Sequence, residues 1–308
     1  MISVITPVYN GKDFIIETIE SVLKASKHQE IEYIIVDDGS VDQTLQIIQR
    51  FKPQVRILSK TNGGESSAVN MGLSEALGDL VLVVSADDPL PTEGIFTGVE
   101  DFFRENLDVV AWYPNWKIID SKGVDIRSVE VDAYSDELLI GRFRCLPGPG
   151  TIFRRREALM IGGRNEKWTF VGDYDFWLRL SRIGRLEKRS QCVAQWRYHD
   201  QSTSIAQRGV EMAIERIAVI NEFVHSNALT PGLRRQAIAH SYYYAARLSF
   251  FDSKVKGKKF LYKAIRANRG RIEDGRLLVY FFIALLPFSK YLVSIVKPFL
   301  RKFGRALT

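Results

Sequence analysis

Cysteine, long apolar runs and repetitive sequence are scarce in this chain. Its 308 residues include two cysteines, Cys145 and Cys192, spaced too widely for a zinc motif, so reduced thiols are the expected state. No internal repeat or low-complexity segment stands out, and 46% hydrophobic content in a chain this long allows a large buried core. The longest apolar stretch, Leu277 to Phe288, is twelve residues and meets Pro287. A bilayer-spanning helix needs roughly 20, so a simple transmembrane anchor is not expected. Met1 opens directly into a strand pattern, which leaves no space for a charged n-region and apolar h-region. No signal peptide is expected, and the functional site is expected on the cytoplasmic side.

The charge is unevenly divided. Residues 1–200 hold 24 Lys and Arg against 30 Asp and Glu, whereas residues 201–308 hold 19 against 6. The basic excess therefore belongs wholly to the C-terminal part. This split predicts an N-terminal domain over 1–204 and a basic helical region over 205–308.

Strand and helix alternate through the first hundred residues. Ile2 to Asn10 reads as a strand stopped by Asn-Gly, and Phe14, Ile15, Ile19, Val22 and Leu23 then recur at helical spacing. Ile31 to Val36 runs into Asp37-Asp38-Gly39-Ser40 and a second helical pattern. Val55 to Leu58 leads to Asn62-Gly63-Gly64 and a small-residue helix from Ser67 to Leu77. The fourth strand, Leu80 to Val84, ends at Ser85-Ala86-Asp87-Asp88. This order predicts an α/β, doubly wound, mostly parallel sheet of the Rossmann-like kind.

In such a sheet, ligands bind at the carboxyl ends of the strands, where Asp87 and Asp88 fall. Adjacent carboxylates repel unless a cation lies between them, and hard divalent ions prefer oxygen ligands shared with phosphates. Mn²⁺ or Mg²⁺ is the expected cofactor; the alternative is a strand-ending Asp-Asp-Pro turn.

Thr6-Pro7-Val8-Tyr9-Asn10, Val36 to Ser40, Asn62-Gly63-Gly64 with Asn70 and Gly72, Ser85 to Asp88, and Gly172 to Leu180 together resemble family 2 glycosyltransferases of the GT-A fold. The resemblance covers roughly residues 1–200. It implies that Thr6, Pro7 and Tyr9 line a nucleotide pocket, with Asn62 nearby, that Asp38 accepts from the base's imide with Asp37 close by, and that Asp87 and Asp88 face the metal-diphosphate. It makes Asp173 the general base of an inverting transfer. Ser85 and Gly172 stand where many members carry acidic residues, which leaves open how many carboxylates hold the metal. His199, in Trp196-Arg197-Tyr198-His199, is expected to meet the diphosphate or metal, with Arg197 adding positive charge; the alternative is a satisfied surface histidine. Arg154-Arg155-Arg156 reads as a solvated helix start, and Phe176, Trp177, Leu178 and Leu180 as core.

The C-terminal part reads as helices over Val210–Ser226, Leu233–Phe251 and Lys258–Asn268. Two basic clusters, Lys254 to Lys259 and Arg266 to Arg271, suit anionic headgroups. The apolar segment 277–300 suits a membrane interface, or alternatively a buried helix on the catalytic domain or a dimer partner. The expected activity is sugar transfer from a nucleotide-sugar donor, a UDP-sugar, to a lipid-linked glycan at the cytoplasmic face of the inner membrane. A nucleic-acid partner is not expected, since aromatics are not interleaved with a basic groove. A nucleotidyltransferase would need a Gly-rich basic loop after the first strand, which Thr6 to Asn10 is not. A non-catalytic membrane scaffold of the same fold is the other alternative, and intact Asp87, Asp88 and Asp173 argue against it.

Overall fold

The computed structural model describes residues 1–91, 94–199, 209–249 and 253–268. The chain divides into two compact units, Met1–Leu139 with Arg144–Ala206, and Ile140–Phe143 with Gln207–Thr308.

In the first unit β1 (Ile2–Val8), α1 (Ile15–Ala25), β2 (Ile31–Asp37), α2 (Thr44–Gln49), β3 (Arg56–Ser59), α3 (Glu65–Glu75) and β4 (Leu80–Val83) follow one another. Strands β3, β2, β1 and β4 lie side by side in that order, all parallel. Every residue of β1 is buried, as a central strand covered on both faces demands. Its polar members are paired: Ser3 Oγ donates to Glu32 at 2.6 Å, and the Thr6 and Tyr33 hydroxyls lie 3.1 Å apart. Helix α3 lies close on β1 because Gly72 has no Cβ; one would sit 2.5 Å from Ile5.

The sheet then turns antiparallel. After α4 (Val99–Glu105) come β5 (Val109–Ile119), β6 (Asp125–Val129), β7 (Ile152–Arg154), α5 (Arg155–Met160), α6 (Gly172–Leu180) and β8 (Arg185–Arg197). β7 joins β4 to β5 by antiparallel pairing on both sides, β6 pairs β5 antiparallel, and β8 runs parallel to β5. The parallel half follows the expected plan; in the other half β6 and β7 are short, and the burial of the long β5 and β8 does not alternate residue by residue, so they carried little signal. Strand order reverses between β2-β1 and β1-β4, so the switch point lies at β1 and β4.

The second unit contains α7 (Gly209–Ser226), α8 (Pro231–Ser249) and α9 (Lys254–Ala267), with α8 packed on both others. Buried alanines 237, 239, 245 and 246 let the neighbours approach α8. Two helices start earlier than their apolar pattern suggests because hydroxyls cap them: Thr230 Oγ1 accepts from Leu233 N at 3.2 Å, and Ser253 Oγ from Lys256 N at 3.4 Å. The expected apolar segment 277–300 lies outside the described residues. Among the described residues no helix is long and apolar enough to cross a membrane.

Candidate active site

The four parallel strands deliver their following loops to one edge. At the end of β1, Asn10 adopts a left-handed backbone (φ 51°), which asparagine tolerates. There its Oδ1 accepts from Val41 N at 2.9 Å and Asp42 N at 3.3 Å, and its N–H donates to Ser40 Oγ at 3.0 Å. Asn10 thus ties the β1 loop to the β2 loop. Of the three residues expected in a nucleotide pocket, Thr6 and Pro7 are buried within β1, and Tyr9, just past it, is 50% exposed.

Asp37 ends β2 and Asp38 follows it, and both are buried. Asp38 does more than await a base. Its Oδ1 accepts from Lys60 Nζ at 2.7 Å and Gly63 N at 3.0 Å, and its Oδ2 from Gly64 N at 2.7 Å. This carboxylate grips the loop carrying Asn62, which is exposed. Asp37 Oδ1 accepts from Ser40 N at 3.3 Å. Lys60 had no distinguishing signal in the sequence; its part follows from the parallel register that places Ser59 opposite Asp37.

Past β4, Asp87, Asp88, Arg197 and His199 come together although 110 residues separate Asp87 from Arg197. His199 Nε2 lies 2.7 Å from Asp87 Oδ2, and the imidazole packs on the Phe14 ring at 4.7 Å. Its buried Nδ1 has no partner among the described residues. Asp88 is nearly buried, with Oδ1 accepting from Arg197 N at 2.7 Å. Burial first, and the adjacent Asp87 charge second, push its carboxyl well above the ordinary range.

Arg197 differs from its expected role as a cation for the diphosphate. It is 1% exposed, and its guanidinium donates to the carbonyls of Asp87 (2.8 Å), Asp120 (3.3 Å) and Ser121 (3.1 Å) and to Glu17 Oε2 (2.7 Å). It is a staple joining the β4 loop, the β5–β6 turn and α1, with Phe14 over its face at 5.1 Å. At the end of β8, Arg197 sits at an inward position between half-buried Trp196 and Tyr198.

Helix α6 buries Phe176, Trp177, Leu178 and Leu180 as expected, and Tyr174 with them, while Asp173 in its first turn is exposed. Asp175 is unsuited to compete as a base, because it is buried and its Oδ2 takes Arg179 at 2.7–2.8 Å. A Cβ on Gly172 would stand 2.6 Å from Ser66 Oγ. Ser66 follows the loop that Asp38 grips, so a chain of contacts runs from the β2 edge through α3 to the residue before Asp173. Asn70 braces the same region, bonding Arg164 N at 2.7 Å and Arg164 O at 2.8 Å.

Arg154 and Arg155 are not the solvated helix start expected of them. Arg154 donates to the carbonyls of Phe103, Asn106 and Val109, and Arg155 to those of Leu73 and Ser74. Both lock helix ends to β7.

Residues 3–141 match the model of glycosyl transferase family 2. An uncharacterized glycosyltransferase of Rickettsia typhi is 30% identical over 216 residues, 66% of each chain. The hyaluronan synthase of Pasteurella multocida is 26% identical over 238 residues, 75% of this chain and 24% of that protein. The chain thus spans about a quarter of the synthase and about two thirds of the Rickettsia protein. Among solved structures, S. aureus TarS 1-349 in complex with UDP-GlcNAc aligns with a TM-score of 0.61 at 21% identity, covering 99% of this chain and 87% of that one. The mannosyltransferase PcManGT of Pyrobaculum calidifontis, in complex with GDP-Man and Mn²⁺, aligns with a TM-score of 0.60 at 16% identity, covering 95% and 83%. A GT-A-like fold and a matching family 2 domain place the chain among the family 2 glycosyltransferases, to which it belongs.

Proposed function

We propose that this protein is an inverting glycosyltransferase that moves one sugar from a UDP-sugar to a hydroxyl of a lipid-linked glycan, at the cytoplasmic face of the membrane, in cell-surface polysaccharide synthesis. The observation that carries the reading is the Asp87–His199 pair at the switch-point edge, with exposed Asp173 braced to that edge through Gly172 and Ser66. The hyaluronan synthase relative supports a polysaccharide product, and the UDP-GlcNAc complex of TarS supports the donor class.

The residues present suit a divalent cation, Mn²⁺ or Mg²⁺. Asp87 offers a carboxylate oxygen and His199 an imidazole nitrogen, and Asp88 lies beside them, its carboxyl raised first by burial and second by the Asp87 charge. Among the described residues no three His, Cys, Asp or Glu side chains are arranged to hold a metal alone. The remaining coordination would come from diphosphate oxygens and water, as Mg²⁺ and Mn²⁺ sites commonly arrange. When bound, the cation would offset the charge of the departing diphosphate. Asp88, engaged with Arg197 N, holds the loop in place.

Asp173 acts on the acceptor. Its carboxylate takes the proton of the attacking hydroxyl as the oxygen bonds to the anomeric carbon and the bond to the diphosphate breaks. One in-line displacement inverts the anomeric centre and needs no second carboxylate as nucleophile. Tyr9 and the Asn62 loop flank the nucleotide, and Asp38 keeps that loop in shape.

Melting the protein with UDP and GDP, in Mn²⁺ and in EDTA, tests this. Ligand at 100 times its dissociation constant adds about 2.7 kcal/mol. Stabilisation by UDP that largely disappears in EDTA is expected. Equal stabilisation without metal refutes the metal site, and no response to either nucleotide refutes the reading. Hydrolysis of a panel of UDP-sugars then identifies the donor.

A further inference from the structure

Helix α9 divides cleanly into two faces. Gly257, Leu261 and Ala264 are buried against the neighbouring helix. On a 3.6-residue turn, positions 255, 256, 258, 259, 262, 263 and 266 fall within one arc of about 160°. All seven are exposed. Val255 and Tyr262 lie side by side in this arc, 79% and 66% exposed, with Lys258 on one flank and Arg266, Lys259, Lys263 and Lys256 on the other.

Among the described residues, the glutamates of this unit's helices lie on α7, outside the helix pair α8 and α9. Neither α9 nor α8 contains an Asp or Glu, and Arg234 and Arg235 add exposed positive charge at the start of α8. A merely solvated basic face does not require apolar side chains within it. An exposed valine and tyrosine one pair of turns apart, flanked by long cationic side chains, match a bilayer interface instead: the apolar pair enters the headgroup boundary while the stems of lysine and arginine reach lipid phosphates.

We propose that the exposed face of α9 docks flat on an anionic lipid bilayer, with Val255 and Tyr262 entering the interface and the flanking basic residues bonding lipid phosphates. This deepens the membrane side of the function proposed above and rests on it for nothing in the transfer chemistry. An acidic protein or a nucleic acid would meet the charge but would leave Val255 and Tyr262 without a role. Each basic residue near such a surface contributes about 1 kcal/mol, about fivefold in partitioning.

The full chain carrying Cys145→Ser, Cys192→Ser and Tyr262→Cys, labelled at position 262 with an environment-sensitive fluorophore, reads this face directly. Vesicles of phosphatidylcholine with about 30% phosphatidylglycerol are expected to shift the emission to the blue; phosphatidylcholine alone is not. Adding Lys256→Gln and Lys259→Gln is expected to weaken partitioning about thirtyfold, and about 0.5 M salt to weaken it further. No blue shift with anionic vesicles, an equal shift with neutral ones, or a response to duplex DNA or polyglutamate but not to vesicles would overturn the proposal. UDP-induced stabilisation measured on the same labelled protein separates failure of the docking face from failure of the transferase reading.

Discussion

Replacing Gly172 by alanine tests the link between the nucleotide edge and the proposed base. The new Cβ would stand 2.6 Å from Ser66 Oγ, where ordinary contact begins near 3.4 Å. Either Ser66 rotates or the start of α6 moves by about 0.8 Å, the difference between those two distances. Such overpacking costs about 1–3 kcal/mol, offset by up to about 1 kcal/mol from the better helix propensity of alanine. A net loss of about 1–2 kcal/mol corresponds to a melting temperature lower by several degrees. Asp173 is the next residue, and a displacement near 1 Å at a reacting group can cost about 100-fold in rate. Turnover of Gly172→Ala is therefore expected to fall by about 10- to 100-fold, with UDP affinity little changed. The structure also supplies the rescue. Ser66 Cβ lies 3.9 Å from the new atom, an ordinary contact, so Ser66→Ala removes the clash and nothing else. The double variant should regain both stability and turnover, a coupling of about 1–2 kcal/mol in a double-mutant cycle. Steady-state transfer and thermal melts of the four proteins decide it. If Gly172→Ala is as active as the parent, or the double variant as impaired as the single, α6 is not braced through this contact.

Asp173→Asn preserves size but cannot accept the hydroxyl proton, so turnover should drop about 10²- to 10⁴-fold while UDP stabilisation persists; near-normal transfer removes Asp173 from the chemistry. Arg197→Met leaves three loop carbonyls without a donor and is expected to cost about 3 kcal/mol or more by chemical denaturation, with Arg197→Lys recovering part; an unchanged midpoint contradicts the staple. Asp88→Asn should raise the stability of the metal-free protein at neutral pH while weakening UDP binding in Mn²⁺. Because the folded state holds the Asp88 proton more tightly than the unfolded chain, its carboxyl favours folding at acid pH, and that advantage is lost as pH rises above the ordinary value of 3.8. The stability gap between variant and parent in EDTA should therefore widen from about pH 4 upward, and a gap independent of pH refutes it.

The parallel half of the sheet was legible in the sequence because its strands are continuous apolar runs and its loops open with Asn-Gly, Asp-Gly or Asp-Asp. Those local signals also placed Tyr9, Asp38, Asp87 and Asp88 on one edge, since every parallel strand ends on the same side. The exposure of Asp173 beside a buried Asp175 was not legible, because helical spacing puts Asp173 on the side of Phe176, Trp177 and Leu180 and Asp175 on the opposite side. The three described helices of the C-terminal region were legible, apart from starts set by Thr230 and Ser253.

What tertiary structure alone decided is the state of each polar group once it was buried. Local sequence cannot say that Arg197 satisfies carbonyls at Asp87, Asp120 and Ser121, because those acceptors come from separate loops and meet only when β5 and β8 pair. The same holds for Arg154 and Arg155, whose charges read as solvated but whose donors close helix ends. Asp38 looked like a ligand for a base, and the folded chain gives its oxygens to Lys60, Gly63 and Gly64. A buried charge must find partners wherever the fold brings them. Sequence spacing places a side chain on a face, and only the packed neighbours determine whether that side chain serves a ligand or the protein itself.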